Sequence, residues 1–110
     1  MKRKSFEHMA CPIAQSLELV GEWWTPLILR DIVGFGITRF DDLQKSLGIA
    51  PTVLTSRLNA MVDAGLLDRR RYSEHPPRFE YVPTESAKDF RPVLEALATW
   101  GQKWTTIPAR

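Results

Sequence analysis

The chain has 110 residues, of which 44% are hydrophobic and 25% charged, with a formal net charge of +2 and a pI of about 8.9. These values are typical of one folded domain and argue against a disordered chain. No apolar run approaches the roughly 20 residues of a membrane span. The single cysteine excludes an internal disulfide, and we therefore expect a cytoplasmic protein without a membrane contact.

The sequence predicts one domain, residues 11–104, between a flexible basic segment, residues 1–10, and a short C-terminal tail, residues 105–110. The first predicted helix lies in the stretch CPIAQSLELVG. Pro12 suits the first position of this helix and Gly21 suits its end. Apolar side chains recur there at helical spacing, which indicates one buried face.

Two further helices are predicted before residue 50. In TPLILRDIVG, Thr25 is expected to cap the helix, and apolar side chains up to Val33 indicate a central, buried helix. In TRFDDLQKSLG, Thr38 and Asp41 have the spacing of a capping box, and Gly48 suits the end of the helix. The short turn GIA follows directly.

The fourth predicted helix begins at Pro51 and ends at Gly65. Its apolar residues fall on one side when the chain is projected at the helical angle; they are Leu54, Leu58 and Met61. The opposite side carries the short polar side chains of Thr52, Ser56, Asn59 and Asp63, with Thr55 beside them. Together with the short preceding turn, the third and fourth helices have the spacing of a helix-turn-helix motif.

Two strands are predicted in LLDRRRY and RFEYV, which are rich in aromatic, β-branched and arginine residues. Pro76 and Pro77 lack backbone donors, so they belong to the turn between the strands. A last helix follows, with Thr84 as its cap and an interruption expected at Pro92. The order helix, helix, helix, helix, strand, strand, helix predicts a mainly α winged helix-turn-helix domain with a small β-hairpin.

In its residue pattern the chain resembles the HxlR-type winged-helix transcriptional regulators of the MarR-like group. The stretches that carry the resemblance are CP (11–12), GEWWTPLILRD (21–31), RFDDL (39–43), LTSRLNAMVDAGLLDR (54–69), PPRFEY (76–81), PTESA (83–87) and PVLEALATWG (92–101). The resemblance implies a homodimer that binds double-stranded operator DNA, and repression is the tendency of the family. Three features depart from the usual pattern: Ala50 in place of a small hydroxylated residue, Trp23 in place of a basic one, and three consecutive arginines at 69–71.

A helix that reads the major groove buries one side and presents short hydrogen-bonding side chains to base edges. The fourth helix, about residues 51–64, has this pattern, and Asn59 suits a bidentate pair with adenine. The hairpin, residues 67–82, is the wing, and its arginines suit the phosphate backbone or the minor groove. The predicted DNA-binding residues are Arg39, Thr52, Thr55, Ser56, Arg57, Asn59, Arg70 and Arg78.

Plainer interpretations stay open for these residues. The polar side chains of the fourth helix could simply be solvated, and at least one wing arginine is expected to pair with Glu80 across the hairpin. A function of another class is a winged-helix module that docks a protein without specific DNA binding. The consecutive arginines and the short polar helix face favour the DNA-binding regulator.

Cys11 is the predicted redox-sensing residue. It stands before Pro12 at a helix start, where backbone dipoles stabilise a thiolate, and Lys2, Arg3 and Lys4 add positive charge nearby in the sequence. Some relatives with a cysteine at this place resemble sensors of electrophiles or oxidants. The alternative is an inert, partly buried small residue.

Four tryptophans are many for a chain of this length. We expect Trp24 in the core, and aromatic residues of the last helix at a subunit interface, where such side chains are enriched. The predicted dimer interface consists of Ile13, Leu17, Leu94, Leu97, Trp100 and Trp104. A small-molecule effector pocket between the last helix and the winged body is a second hypothesis.

The sequence predicts neither a metal, nor a cofactor, nor enzyme activity. His8 and His75 have no second ligand at metal spacing. The stretch GFG (34–36) follows a helix rather than a strand, unlike a nucleotide-binding loop. No serine, histidine and acid set converges on any of the motifs.

Overall fold

The computed structural model describes residues 5–109. The elements in chain order are α1 (Pro12–Val20), α2 (Thr25–Leu29) with a following π-helical turn (Arg30–Gly34), α3 (Phe40–Leu47), α4 (Pro51–Asp63), β1 (Leu67–Glu74), β2 (Pro77–Pro83), α5 (Glu85–Lys88) and α6 (Arg91–Trp104). This arrangement confirms the predicted winged helix-turn-helix fold, mainly helical with one antiparallel hairpin. Among the helices of the described part of the chain, none is both long and apolar enough to span a bilayer.

The core is built around α2 and the π-helical turn that continues it. Ile28 and Leu29 are fully buried and Ile32 nearly so, which confirms the prediction of a central helix. Side chains from α3, α4 and the base of the hairpin, including the residue just before β1, close around them; they are Leu43, Leu54, Leu58, Met61, Leu66, Leu67 and Tyr81. Trp24 is half-buried against this cluster, as expected. The core therefore holds α4 by one side only, and the other side stays at the surface.

The start of α2 differs from the prediction, because Thr25 does not cap it. Thr25 is the first residue of the helix, and Oε1 of Glu22 accepts hydrogen bonds from the amides of Trp24 and Thr25, at 2.7 and 3.0 Å. The same oxygen accepts a bond from the buried Thr25 hydroxyl at 3.2 Å. A carboxylate here satisfies two amides of the helix start and also complements the positive end of the helix dipole.

The predicted capping box at Thr38 and Asp41 is also wrong. The helix α3 begins at Phe40 without a side-chain cap, and the Thr38 hydroxyl instead donates to Oε2 of Glu80 at 2.9 Å. Thr84 stands at the cap position of α5, but its hydroxyl does not bond to an amide of that helix. It donates instead to the carbonyls of Gly65 and Leu66, which follow α4. Both threonines make tertiary contacts that replace the predicted local ones.

The interruption predicted at Pro92 is confirmed. The helical conformation is interrupted between α5 and α6. Pro92 lies in the first turn of α6, where backbone amides have no partner within the helix, so its missing amide hydrogen costs no hydrogen bond. Phe90 and Leu94 pack against the core at this end of α6. The helix α6 contains no buried residue, and most of its side chains are exposed.

The wing is an antiparallel pair whose register runs from Leu67 opposite Pro83 to Glu74 opposite Pro77, with a bulge between Arg71 and Ser73. The free edge of β2 is joined by the segment before α3. Arg39 forms a bridge with Glu80, and the Tyr81 amide donates to the Thr38 carbonyl at 2.8 Å. The wing is thereby attached to the beginning of the helix-turn-helix.

Candidate DNA-binding surface

The helix α4 has an apolar and a polar side, as its sequence predicts. Leu54 and Leu58 are completely buried and Met61 is 2% exposed. The predicted contact residues on the other side, Thr52, Thr55, Ser56 and Asn59, are all exposed. The Thr55 hydroxyl donates to the carbonyl of Pro51 at 2.9 Å, so part of its hydrogen-bonding capacity is used within the helix. The Thr55 hydroxyl can still accept a hydrogen bond, so all four side chains remain base-reading candidates.

Arg57 lies at the edge of this polar side and is half-buried. Its Nη1 is 3.9 Å from Oε2 of Glu22, the residue that caps α2, and its Nη2 is 3.5 Å from the Ser56 hydroxyl. Glu22 thus contacts both the start of the central helix and the side chain of the predicted recognition helix. Sequence patterns missed Glu22, because a capping box places the glutamate three residues after the capping threonine and not before it.

The arginines of β1 are divided between two faces of the wing. Arg70 pairs with Glu80 at 2.8 Å, which is the cross-hairpin ion pair that the sequence left open. The guanidinium groups of Arg69 and Arg71 lie over the opposite face, 3.9 and 5.4 Å from the centroid of the Phe79 ring. The Arg70 guanidinium, helped by the Thr38 hydroxyl, lowers the pKa of Glu80 and keeps this carboxylate charged.

Arg39 and Arg78 border a cleft between the start of α3 and the tip of the wing. The Arg39 guanidinium lies 4.3 Å from the centroid of the Tyr72 ring, close enough for a cation–π contact. Arg78 is exposed next to the proline turn. Tyr72 is a second residue that sequence reasoning missed, because it stands at the bulge, where simple strand alternation does not predict its direction.

A separate apolar face lies on α1 and α6. The predicted interface residues Ile13, Leu17, Leu97, Trp100 and Trp104 are between 42% and 73% exposed. Leu94, the sixth predicted residue, is half-buried and packs against the core. An exposed apolar face of this kind marks an interaction surface in a folded domain. A groove between the two helices, bordered by Trp23, Phe90 and Val93, continues the same face.

Cys11 is half-buried at the N-cap position of α1. The basic residues Lys2, Arg3 and Lys4, which were expected to support a thiolate there, lie outside the described residues. The described part of the N-terminal segment contacts α1 through the Gln15 side chain, which donates to two carbonyls of that segment at 2.8 and 2.9 Å. Residues 5–109 contain no group of three acidic, histidine or cysteine side chains placed to hold a metal.

Known proteins with similar sequences are transcriptional regulators. An uncharacterized HTH-type transcriptional regulator of Mycobacterium tuberculosis is 44% identical over 96 residues, which is 87% of this chain and 60% of the relative. This chain therefore spans about 60% of the length of that relative.

Two solved structures with a similar fold are also described as transcription factor candidates. A transcription factor candidate of Pseudomonas aeruginosa, PA1374, is 55% identical, with a TM-score of 0.65 over 87% of this chain and 65% of that one. The crystal structure of PA1607, also described as a transcription factor candidate, is 34% identical with a TM-score of 0.85, over 97% of this chain and 74% of that one.

The family comparison covers most of the domain just described. Residues 19–108 match the family model described as HxlR-like helix-turn-helix. The matched range includes α4, the wing and α6, and thus both the candidate DNA-binding surface and most of the exposed apolar face. The chain belongs to the HxlR-like helix-turn-helix family of transcriptional regulators.

Proposed function

We propose that this transcriptional regulator is a cytoplasmic homodimer that binds operator DNA and represses transcription. The helix α4 enters the major groove, and the wing contacts the backbone or the minor groove. The observation that carries the proposal is the division of α4 into a buried apolar side and an exposed side of short polar groups. The exposed polar side chains can contact base edges while the apolar side keeps the helix packed in its own domain. The base contacts come from Thr52, Thr55, Ser56 and Asn59, and backbone contacts from Arg39, Arg57 and Arg78.

A net charge of only +2 is compatible with DNA binding because the dimer doubles every contact. The affinity for the DNA upstream of the protein's own gene is expected to fall steeply as salt rises, since each phosphate contact releases counterions. Fluorescence anisotropy between low and physiological salt measures the slope. A flat response would remove the role of the wing as a backbone contact. No binding to any duplex would favour the alternative, a protein-docking module.

Asn59→Ala is expected to weaken binding to cognate DNA by about 1–3 kcal/mol, because the variant cannot form a bidentate pair of hydrogen bonds with a base. Binding to random-sequence DNA should change little, since Asn59 reads a base rather than a phosphate. Anisotropy titrations with the two duplexes measure both effects. Equal losses on cognate and random DNA would instead assign Asn59 a structural role.

We further propose that DNA binding is tuned at Cys11 by an electrophile or an oxidant, or by a small ligand in the groove between α1 and α6. The thiol stands at the start of α1, the helix that carries Ile13 and Leu17 of the apolar face proposed for dimerisation, and we expect its modification to change the spacing of the two recognition helices. Peroxide, a quinone or an aldehyde is expected to change the DNA affinity of the parent but not of Cys11→Ser. If the parent does not respond, the thiol switch is excluded and a reversible ligand becomes the explanation to test.

A further inference from the structure

One face of the wing carries a row of charges across three extended segments. Arg70 of β1 lies opposite Glu80 of β2, and Glu80 bridges in turn to Arg39, in the segment before α3. Residues that are directly opposite in a sheet place their side chains on the same face, so Arg70, Glu80 and Arg39 share one face with Glu80 on the middle segment. The two arginines differ in what their charge contacts.

The charge of Arg70 is engaged within the protein. Its Nε and Nη2 donate to Oε1 of Glu80 at 3.2 and 2.8 Å, while the Thr38 hydroxyl donates to Oε2 at 2.9 Å. Both carboxylate oxygens are thus occupied, and the Glu80 side chain is only 15% exposed. Through this carboxylate, β1 is joined to the segment that leads into α3.

Arg39 is held differently, by an aromatic ring. Its guanidinium lies over Tyr72, and the ion pairs found among residues 5–109 do not include it. A guanidinium that stacks on a ring keeps its in-plane N–H donors available, and these donors match the oxygens of a phosphate. Arg39 is therefore oriented and yet able to bind an anion.

We propose that Arg70 is a positioning residue and that Arg39 is a phosphate contact. The Arg70–Glu80–Thr38 contact holds the wing against the start of α3 and thereby presents Arg39 to the DNA backbone. This inference rests on the proposed function, and it gives Arg70 a different role from the direct DNA contact that its sequence position predicts. Arg70 then supports binding through geometry, whereas Arg39 supports it through charge.

The test compares Arg39→Gln, Arg70→Gln and Glu80→Gln with the parent on a random-sequence duplex over a range of KCl concentrations. A plot of log affinity against log salt has a negative slope. Arg39→Gln is expected to make this slope shallower by about 0.9 for each phosphate that the protein no longer neutralises. Arg70→Gln and Glu80→Gln are each expected to weaken binding about two- to fivefold, the effect of an exposed ion pair, with the slope unchanged. The variant with both changes should bind as weakly as either single one, because the two remove the same ion pair.

Two results would overturn the assignment. A slope that becomes shallower for Arg70→Gln as it does for Arg39→Gln would make Arg70 a phosphate contact. Tighter binding and a steeper slope for Glu80→Gln would mean that Glu80 merely neutralises Arg70. Arg71→Gln is the matched control for the removal of an ion pair, since the Arg71–Glu74 pair lies within β1 and does not involve Glu80.

A second measurement needs no DNA. Hydrogen exchange at the Tyr81 amide, which donates to the Thr38 carbonyl, is expected to be faster in Arg70→Gln and Glu80→Gln and unchanged in Arg39→Gln. Unchanged exchange in Arg70→Gln would exclude the positioning role whatever the DNA results are. A parent protein that binds no duplex would count against the proposed function alone.

Discussion

Leu97→Glu is expected to yield a folded monomer whose affinity for its operator is at least about a thousandfold weaker. Leu97 is 53% exposed on α6, so a charge there costs the single domain little, but it would be buried unpaired in the proposed dimer. A monomer presents one recognition helix rather than two, and its binding would approach the non-specific range, which typically lies about 1,000-fold or more above specific dissociation constants.

Sedimentation equilibrium measures the oligomeric state of Leu97→Glu, and anisotropy with operator DNA measures its affinity. Thr99→Glu is the matched control, because it places the same charge on the same helix away from the apolar stripe of Leu97 and Trp100. The control is expected to stay dimeric and to bind. If Leu97→Glu also remains a dimer with parental affinity, the subunits meet elsewhere and the apolar face needs another partner.

Leu58→Ala is expected to destabilise the fold by about 2–5 kcal/mol, the usual cost of removing a large buried side chain and leaving a cavity. Leu58 is fully buried on α4, in the core cluster that also contains Ile28 and Leu29 of the central helix α2. The decrease in the free energy of unfolding is measured by urea unfolding at one fixed protein concentration, because the proposed dimerisation would make apparent stability depend on concentration.

Asn59→Ala, one residue further along α4, is the control for this experiment. Its side chain is exposed, so the free energy of unfolding should change by no more than about 0.5 kcal/mol, although specific DNA binding falls. The two neighbouring variants thus separate the structural side of α4 from its reading side. A stability loss for Leu58→Ala below about 1 kcal/mol would show that the helix is not held by its apolar side.

The division of labour within the wing has a consequence for the consecutive arginines. Arg70 pairs with Glu80 and Arg71 with Glu74, whereas Arg69 lies over Phe79 in the same way that Arg39 lies over Tyr72. Arg39 lies about 30 residues before these arginines in the sequence. Its bridge to Glu80 of β2 nevertheless places it on the face of the wing that carries Arg70. The phosphate contact proposed for Arg39 therefore lies outside the run of three consecutive arginines.

Much of the fold was predictable because its signals are local. Proline has no amide hydrogen, and the first turn of a helix does not use one. Pro12 and Pro51 therefore suit helix starts, and α1 and α4 begin at these residues. The spacing of Leu54, Leu58 and Met61 predicts which side of α4 is buried, because burial follows helical periodicity. Pro92 predicts the break before α6 for the same kind of local reason.

The sequence alone determined the order of the elements, the apolar and polar sides of α4, and the family that the chain resembles. Tertiary structure alone decided which partners the polar side chains take. Thr38 bonds to Glu80, 42 residues away, rather than capping α3, and Glu22 rather than Thr25 caps α2. Backbone conformation follows from sterics within a few residues, whereas a hydroxyl or a guanidinium pairs with whichever group the fold brings within about 3 Å.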